Sequence, residues 1–82
     1  MSERTALVVG GTSGIGLATA RQLSAAGARV HVAARGKERL DELAVTDPAL
    51  TGHQADGGDQ ARMTALAEAI GTIDWLIITL AS

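Results

Sequence analysis

The sequence predicts an α/β domain in which four short strands alternate with three helices and pair in parallel. Two observations carry this. Apolar, β-favouring runs recur along the chain, and stretches with apolar residues at helical spacing separate them. Glycine and other turn-forming residues stand at the boundaries between the two kinds of segment. Strands joined by helices return to the same end of a sheet and so pair in parallel.

Thr5-Ala6-Leu7-Val8-Val9 is a continuous apolar run, as expected of a strand buried on both faces. Gly10-Gly11-Thr12-Ser13-Gly14-Ile15-Gly16 reads as a loop. A helix is predicted from about Ile15 to Ala26, with Ile15, Ala18, Leu23 and Ala26 at helical spacing and Gly27 as its C-terminal stop. Val30 to Ala34 forms a second buried strand. Lys37 to Val45 forms a second helix through Leu40, Leu43 and Ala44, and Pro48 prevents its continuation. Leu50 to Ala55 is a weaker strand, placed by the rhythm of the chain. Asp59 is a suitable N-cap for a third helix from Gln60 to Ile70, with Met63, Leu66, Ala67 and Ile70 on one face and Gly71 at its end. Trp75 to Leu80 is the fourth strand.

Composition narrows the function classes. The 82 residues suit one small domain or part of one, with no internal boundary. The net charge is −2, from 7 Lys+Arg against 9 Asp+Glu, which disfavours nucleic-acid binding. Tyr and Phe are both 0, so base-stacking platforms are missing. Cys is 0, which removes disulfides, thiolate metal sites and a cysteine nucleophile. Mean hydropathy is +0.19, yet no apolar run approaches the roughly 18 residues of a membrane span. The N-terminus lacks an apolar signal-peptide core, so a cytoplasmic protein is expected. His31 and His53 read as packing or surface residues, and no metal site is expected. The Asp56-Asp59 pair reads as turn and cap chemistry.

The chemical signal is concentrated between the first strand and the first helix. Gly10, Gly14 and Gly16 have the spacing G-x-x-x-G-x-G. Glycine permits a tight turn and close approach of backbone to a ligand. The following helix N-terminus offers free N–H groups and the positive end of its dipole to a pyrophosphate. Thr12 and Ser13 add hydroxyls. An NTPase phosphate loop is disfavoured, because Leu17 and Ala18 follow Gly16 where that motif has lysine and a hydroxyl. The second strand ends in Ala33-Ala34-Arg35, with no acidic residue for a ribose 2′-hydroxyl. A guanidinium there can grip a 2′-phosphate by paired hydrogen bonds, which favours NADP(H) over NAD(H).

These residues resemble the short-chain dehydrogenase/reductase family. Val9 to Gly16 resembles its T-G-x-x-x-G-I-G loop, Ala33-Ala34-Arg35 the second-strand end of NADP-preferring members, and Asp56 the aspartate that contacts the adenine amino group. The resemblance implies a partial Rossmann fold with sheet order 3-2-1-4, the first two helices on one face and the third on the other. It implies cofactor contacts from Gly10, Thr12, Ser13, Gly14, Ile15, Gly16, Arg35 and Asp56, with NADP as cofactor. Val9 stands where the family has threonine, and Ile78-Thr79 where it has two asparagines.

Hydride transfer in the family looks assisted by serine, tyrosine and lysine downstream of the fourth strand. With Tyr at 0, no catalytic residue is expected here. Residues 1–82 are expected to be the N-terminal half of an NAD(P)-binding domain, inactive alone. The alternatives are a non-enzymatic nucleotide-binding or self-associating fragment and a remnant that binds nothing. The apolar fourth strand should lie at an open edge, so a homodimer or other self-association through that strand is expected.

Overall fold

The computed structural model describes residues 4–10, 14–56 and 58–79. The elements run β1 (Thr5–Val9), α1 (Gly14–Ala25), β2 (Arg29–Ala34), α2 (Lys37–Thr46), β3 (Leu50–Gln54), α3 (Gln60–Ile70) and β4 (Trp75–Ile78). All neighbouring strands pair in parallel, in the order β3-β2-β1-β4. The fold class and strand order read from the sequence are therefore correct.

Burial follows the alternation of side chains across the sheet. Ala6, Val8, Val30, Val32 and Leu50 point to one face. Ala20 of α1 and Leu43 of α2 close over them, with Leu17, Leu23 and Ile77 packed alongside. Leu7, Val9 and Ala33 point to the other face and meet Leu66 of α3, with Met63 and Ile70 beside it. The first two helices and the third thus lie on opposite faces, as expected. Both faces of β1 are buried, which accounts for its unbroken apolar run.

Helix ends follow their local chemistry. Ala28 N–H donates to the Leu23 carbonyl and Gly27 N–H to that of Ser24, with Gly27 at φ +98°. This is the paired C-terminal closure that a left-handed glycine permits. The Asp59 carboxylate accepts from Arg62 N–H at 3.0 Å and caps α3. Arg21 of α1 donates to both carboxylate oxygens of Asp47, at 3.0 and 2.9 Å, and ties α1 to the end of α2. The hydrogen bond from Arg21 holds the Asp47 carboxyl below its ordinary pKa, and Asp47 raises that of the guanidinium.

Two expectations need correction. The buried face of α1 is Gly16 and Ala20, flanked by Leu17 and Leu23, while Ile15 is 80% exposed and Ala18 and Ala26 face solvent. Small residues let the helix axis approach the sheet, so they set the phase and the larger isoleucine turns away. β4 ends at Ile78 rather than continuing to Leu80, which lies outside the described residues.

Among the described residues β4 is an edge strand. Leu76 and Ile78 share the face of Leu7 and Val9 through their register, but α3 does not cover them, and each is 58% exposed. Trp75, at the start of β4, lies under the Arg4 guanidinium at 5.5 Å.

Candidate functional site

Parallel strands put their C-terminal ends on one side of the sheet, which is where ligands bind in such folds. Gly10 follows β1, Arg35 follows β2, Asp56 lies beyond β3 and Thr79 follows β4. Gly14, Ile15 and Gly16 open α1 on the same side. The structure therefore gathers Gly10, Gly14, Ile15, Gly16, Arg35 and Asp56 at one end of the sheet. Thr12 and Ser13 lie outside the described residues.

The turn leaving β1 is held from both neighbours. Gly10 N–H donates to the Ala33 carbonyl of β2 at 2.7 Å, and Thr79 N–H donates to the Val9 carbonyl at 2.9 Å. The Thr79 hydroxyl lies 3.1 Å from both the Val9 and Gly10 carbonyl oxygens and donates between them. Gly10 has φ +84°, and a Cβ there would strike the Thr79 carbonyl oxygen. Both the dihedral and the space require glycine. Gly14 has φ +61° with nothing near a would-be Cβ, so conformation alone selects it. The first turn of α1 carries no acidic residue, which leaves the positive end of its dipole uncancelled by its own side chains.

Arg35 is exposed at the rim. The Gln54 amide donates to its carbonyl at 3.2 Å, and Arg62 donates to the Gln54 carbonyl at 3.1 Å. The Asp56 carboxylate accepts from Gly58 N–H at 2.9 Å, and the Asp56 carbonyl accepts from Asp59 N–H. Asp56 thus shapes the turn between β3 and α3, one oxygen being engaged within it. Thr79 and Gln54 were missed from sequence. Thr79 could have been found, because it directly follows the apolar run that a parallel sheet sets beside β1, where Ile78 is opposite Val9.

His31 and His53 meet across β2 and β3. His31 Nδ1 lies 2.9 Å from His53 Nε2, and the rings stack with centroids 5.1 Å apart. Among the described residues no group of three or more His, Cys, Asp or Glu could hold a metal. One ring donates to the other, so at least one must be neutral. Burial lowers both pKa values from 6.5, and the nearby His31 and Arg62 charges lower that of His53 further. A lowered folded pKa means that the unfolded chain binds the proton more readily. The pair's stabilisation is therefore complete above pH 6.5 and is lost as pH falls through the lowered folded values. Thermal unfolding from about pH 5 to about pH 8 checks this. The midpoint should fall on the acid side, and His53→Asn should flatten that slope.

The family model described as short chain dehydrogenase matches residues 4–79. The chain belongs to the short chain dehydrogenase family. It is 44% identical to a Streptomyces violaceoruber chain named, provisionally, ketoacyl reductase 1 of the granaticin polyketide synthase, over 93% of this chain and 31% of that one. It is 38% identical to the (+)-neomenthol dehydrogenase of Arabidopsis thaliana, over 87% of this chain and 27% of that one. An actinorhodin polyketide ketoreductase solved with NADPH superposes with TM-score 0.80 at 36% identity, covering 98% of this chain and 34% of that one. The chain spans about a third of the length of these relatives. Among the described residues, no helix is long and apolar enough to cross a membrane.

Proposed function

We propose that this chain is the NADP(H)-binding portion of a short chain oxidoreductase. The glycine turn carries the reading: it is clamped between β2 and β4, at the foot of a helix whose first turn has no acidic side chain. Gly10, Gly14 and Gly16, with Thr12 and Ser13 between them, would hold the pyrophosphate, with Ile15 beside it. Arg35 would grip the 2′-phosphate and Asp56 would meet the adenine. These residues fit the group: positive-φ glycines open the approach, and a basic residue follows β2 where a ribose 2′-hydroxyl would call for an acidic one. Such a cofactor supplies or takes up a hydride when bound. The NADPH held by the actinorhodin ketoreductase supports the choice of dinucleotide. The tyrosine that the family's reaction uses has no counterpart among these 82 residues, so the chain alone should bind cofactor without turning over substrate.

Calorimetric titration of the folded chain with NADP⁺ and with NAD⁺ tests the reading. NADP⁺ should bind the more tightly. A folded chain that binds neither at about millimolar concentration refutes it.

The second element of the proposal is self-association through β4. Leu76 and Ile78 are exposed on an open edge strand, and such an edge pairs readily with another chain. Sedimentation should show a homodimer or larger species, reduced to monomer by Leu76→Lys. A parent chain that sediments as a monomer at high concentration ends this part of the proposal.

A further inference from the structure

Resting on that nucleotide-binding reading, we infer that the Thr79 hydroxyl is the positioning group for the glycine turn, reaching it from β4 rather than from β1. Val9 has no hydroxyl of its own, so the turn out of β1 cannot be held by the side chain that precedes it. Its holding bonds come from the two neighbouring strands. Ala33 of β2 takes the Gly10 N–H at 2.7 Å, and the Thr79 N–H reaches the Val9 carbonyl at 2.9 Å. Any residue but proline at position 79 could make that backbone bond. Only a hydroxyl adds the contact to the Gly10 carbonyl at 3.1 Å while also reaching the Val9 carbonyl at 3.1 Å.

The Gly10 carbonyl matters because it belongs to the peptide that leaves the turn. A peptide unit is planar, so fixing its carbonyl fixes the whole plane. It thereby fixes the orientation of the Gly10 carbonyl at the end of β1. The position is half-buried, so water replaces the lost bond poorly. The same geometry explains why Gly10 tolerates no Cβ: Thr79 sits directly against it.

Thr79→Val keeps the shape and the backbone bond and removes only the hydroxyl. Thr79→Ser keeps the hydroxyl. Two ligands separate a local effect from a general one. NADP⁺ carries a pyrophosphate for the glycine loop, whereas adenosine 2′-monophosphate reaches only Arg35 and Asp56. The valine variant should bind NADP⁺ roughly three- to tenfold more weakly, keep its affinity for adenosine 2′-monophosphate within about twofold, and recover with serine. Amide hydrogen exchange supplies a readout free of nucleotide. The Gly10 N–H should exchange several-fold faster in the valine variant, while the Ala55 N–H, bonded to Ala34, should keep its rate.

Unchanged NADP⁺ affinity together with unchanged Gly10 exchange overturns the inference. So does a loss that strikes both ligands and both amides alike, which would mark Thr79 as a general stabiliser. A parent chain that binds no nucleotide refutes the functional reading; the Gly10 exchange rate and its rescue by serine then decide the role of Thr79 alone.

Discussion

Gly10→Ala should destabilise the chain by about 2–5 kcal/mol and abolish nucleotide binding. The backbone there has φ +84°, where an L-residue costs about 1–2 kcal/mol. The added methyl also meets the Thr79 carbonyl oxygen and approaches the Thr79 hydroxyl oxygen at 3.0 Å. Relieving that overlap means moving β4 away from β1 or breaking the clamp on the turn. Overpacking of this kind costs about 1–3 kcal/mol more. A domain of this size commonly has only about 4–12 kcal/mol in total, so the loss is large. Gly14→Ala is the internal control: its φ is +61° but its surroundings are open, so it should lose only the backbone part, about 1–2 kcal/mol. Urea unfolding with an unchanged slope measures both. Equal losses at the two positions would show that the contact with Thr79 has no weight.

Arg35→Ala should lower NADP⁺ affinity roughly ten- to a hundredfold and leave NAD⁺ affinity nearly unchanged, the range expected for charge-assisted hydrogen bonds to a phosphate. The two dinucleotides differ only in the 2′-phosphate, so the ratio of their affinities isolates the contact proposed for Arg35. The Gln54 amide holds the Arg35 main-chain carbonyl, and the Arg35 side chain is exposed at the rim. Calorimetry on parent and variant gives the ratio directly. Equal weakening of both dinucleotides would assign Arg35 to the fold of the rim instead of to cofactor choice.

The parts of the fold that were legible in the sequence are those where one physical demand dominates. β1 and the core of β2 are buried on both faces, so Ala6 to Val9 and Val30 to Ala34 had no room for polar residues apart from half-buried His31. Asp59 and Gly71 mark the ends of α3 because capping is chemistry local to a few residues. The phase of α1 was misread because hydrophobicity points to Ile15, whereas the sheet selects Gly16 and Ala20 for their small size. The site divides in the same way. Glycines announce themselves through spacing. The Thr79 hydroxyl and the His31–His53 contact depend on neighbours that only the folded sheet supplies, 70 and 22 positions away along the chain.

The wide separation of Val9 and Thr79 has a kinetic side. β1, β2 and β3 join through successive short crossovers, whereas β4 must close the longest loop in the sheet to reach β1. Loop-closure entropy makes such a pairing late to form. Its exposed Leu76 and Ile78 make it the least covered strand and so the readiest to fray. On these grounds β4, which carries the brace on the glycine turn, is expected to pair last and fray first. A dinucleotide that bound only the braced turn would draw β4 onto the sheet by linkage, and cofactor loading and completion of the sheet would then be a single equilibrium.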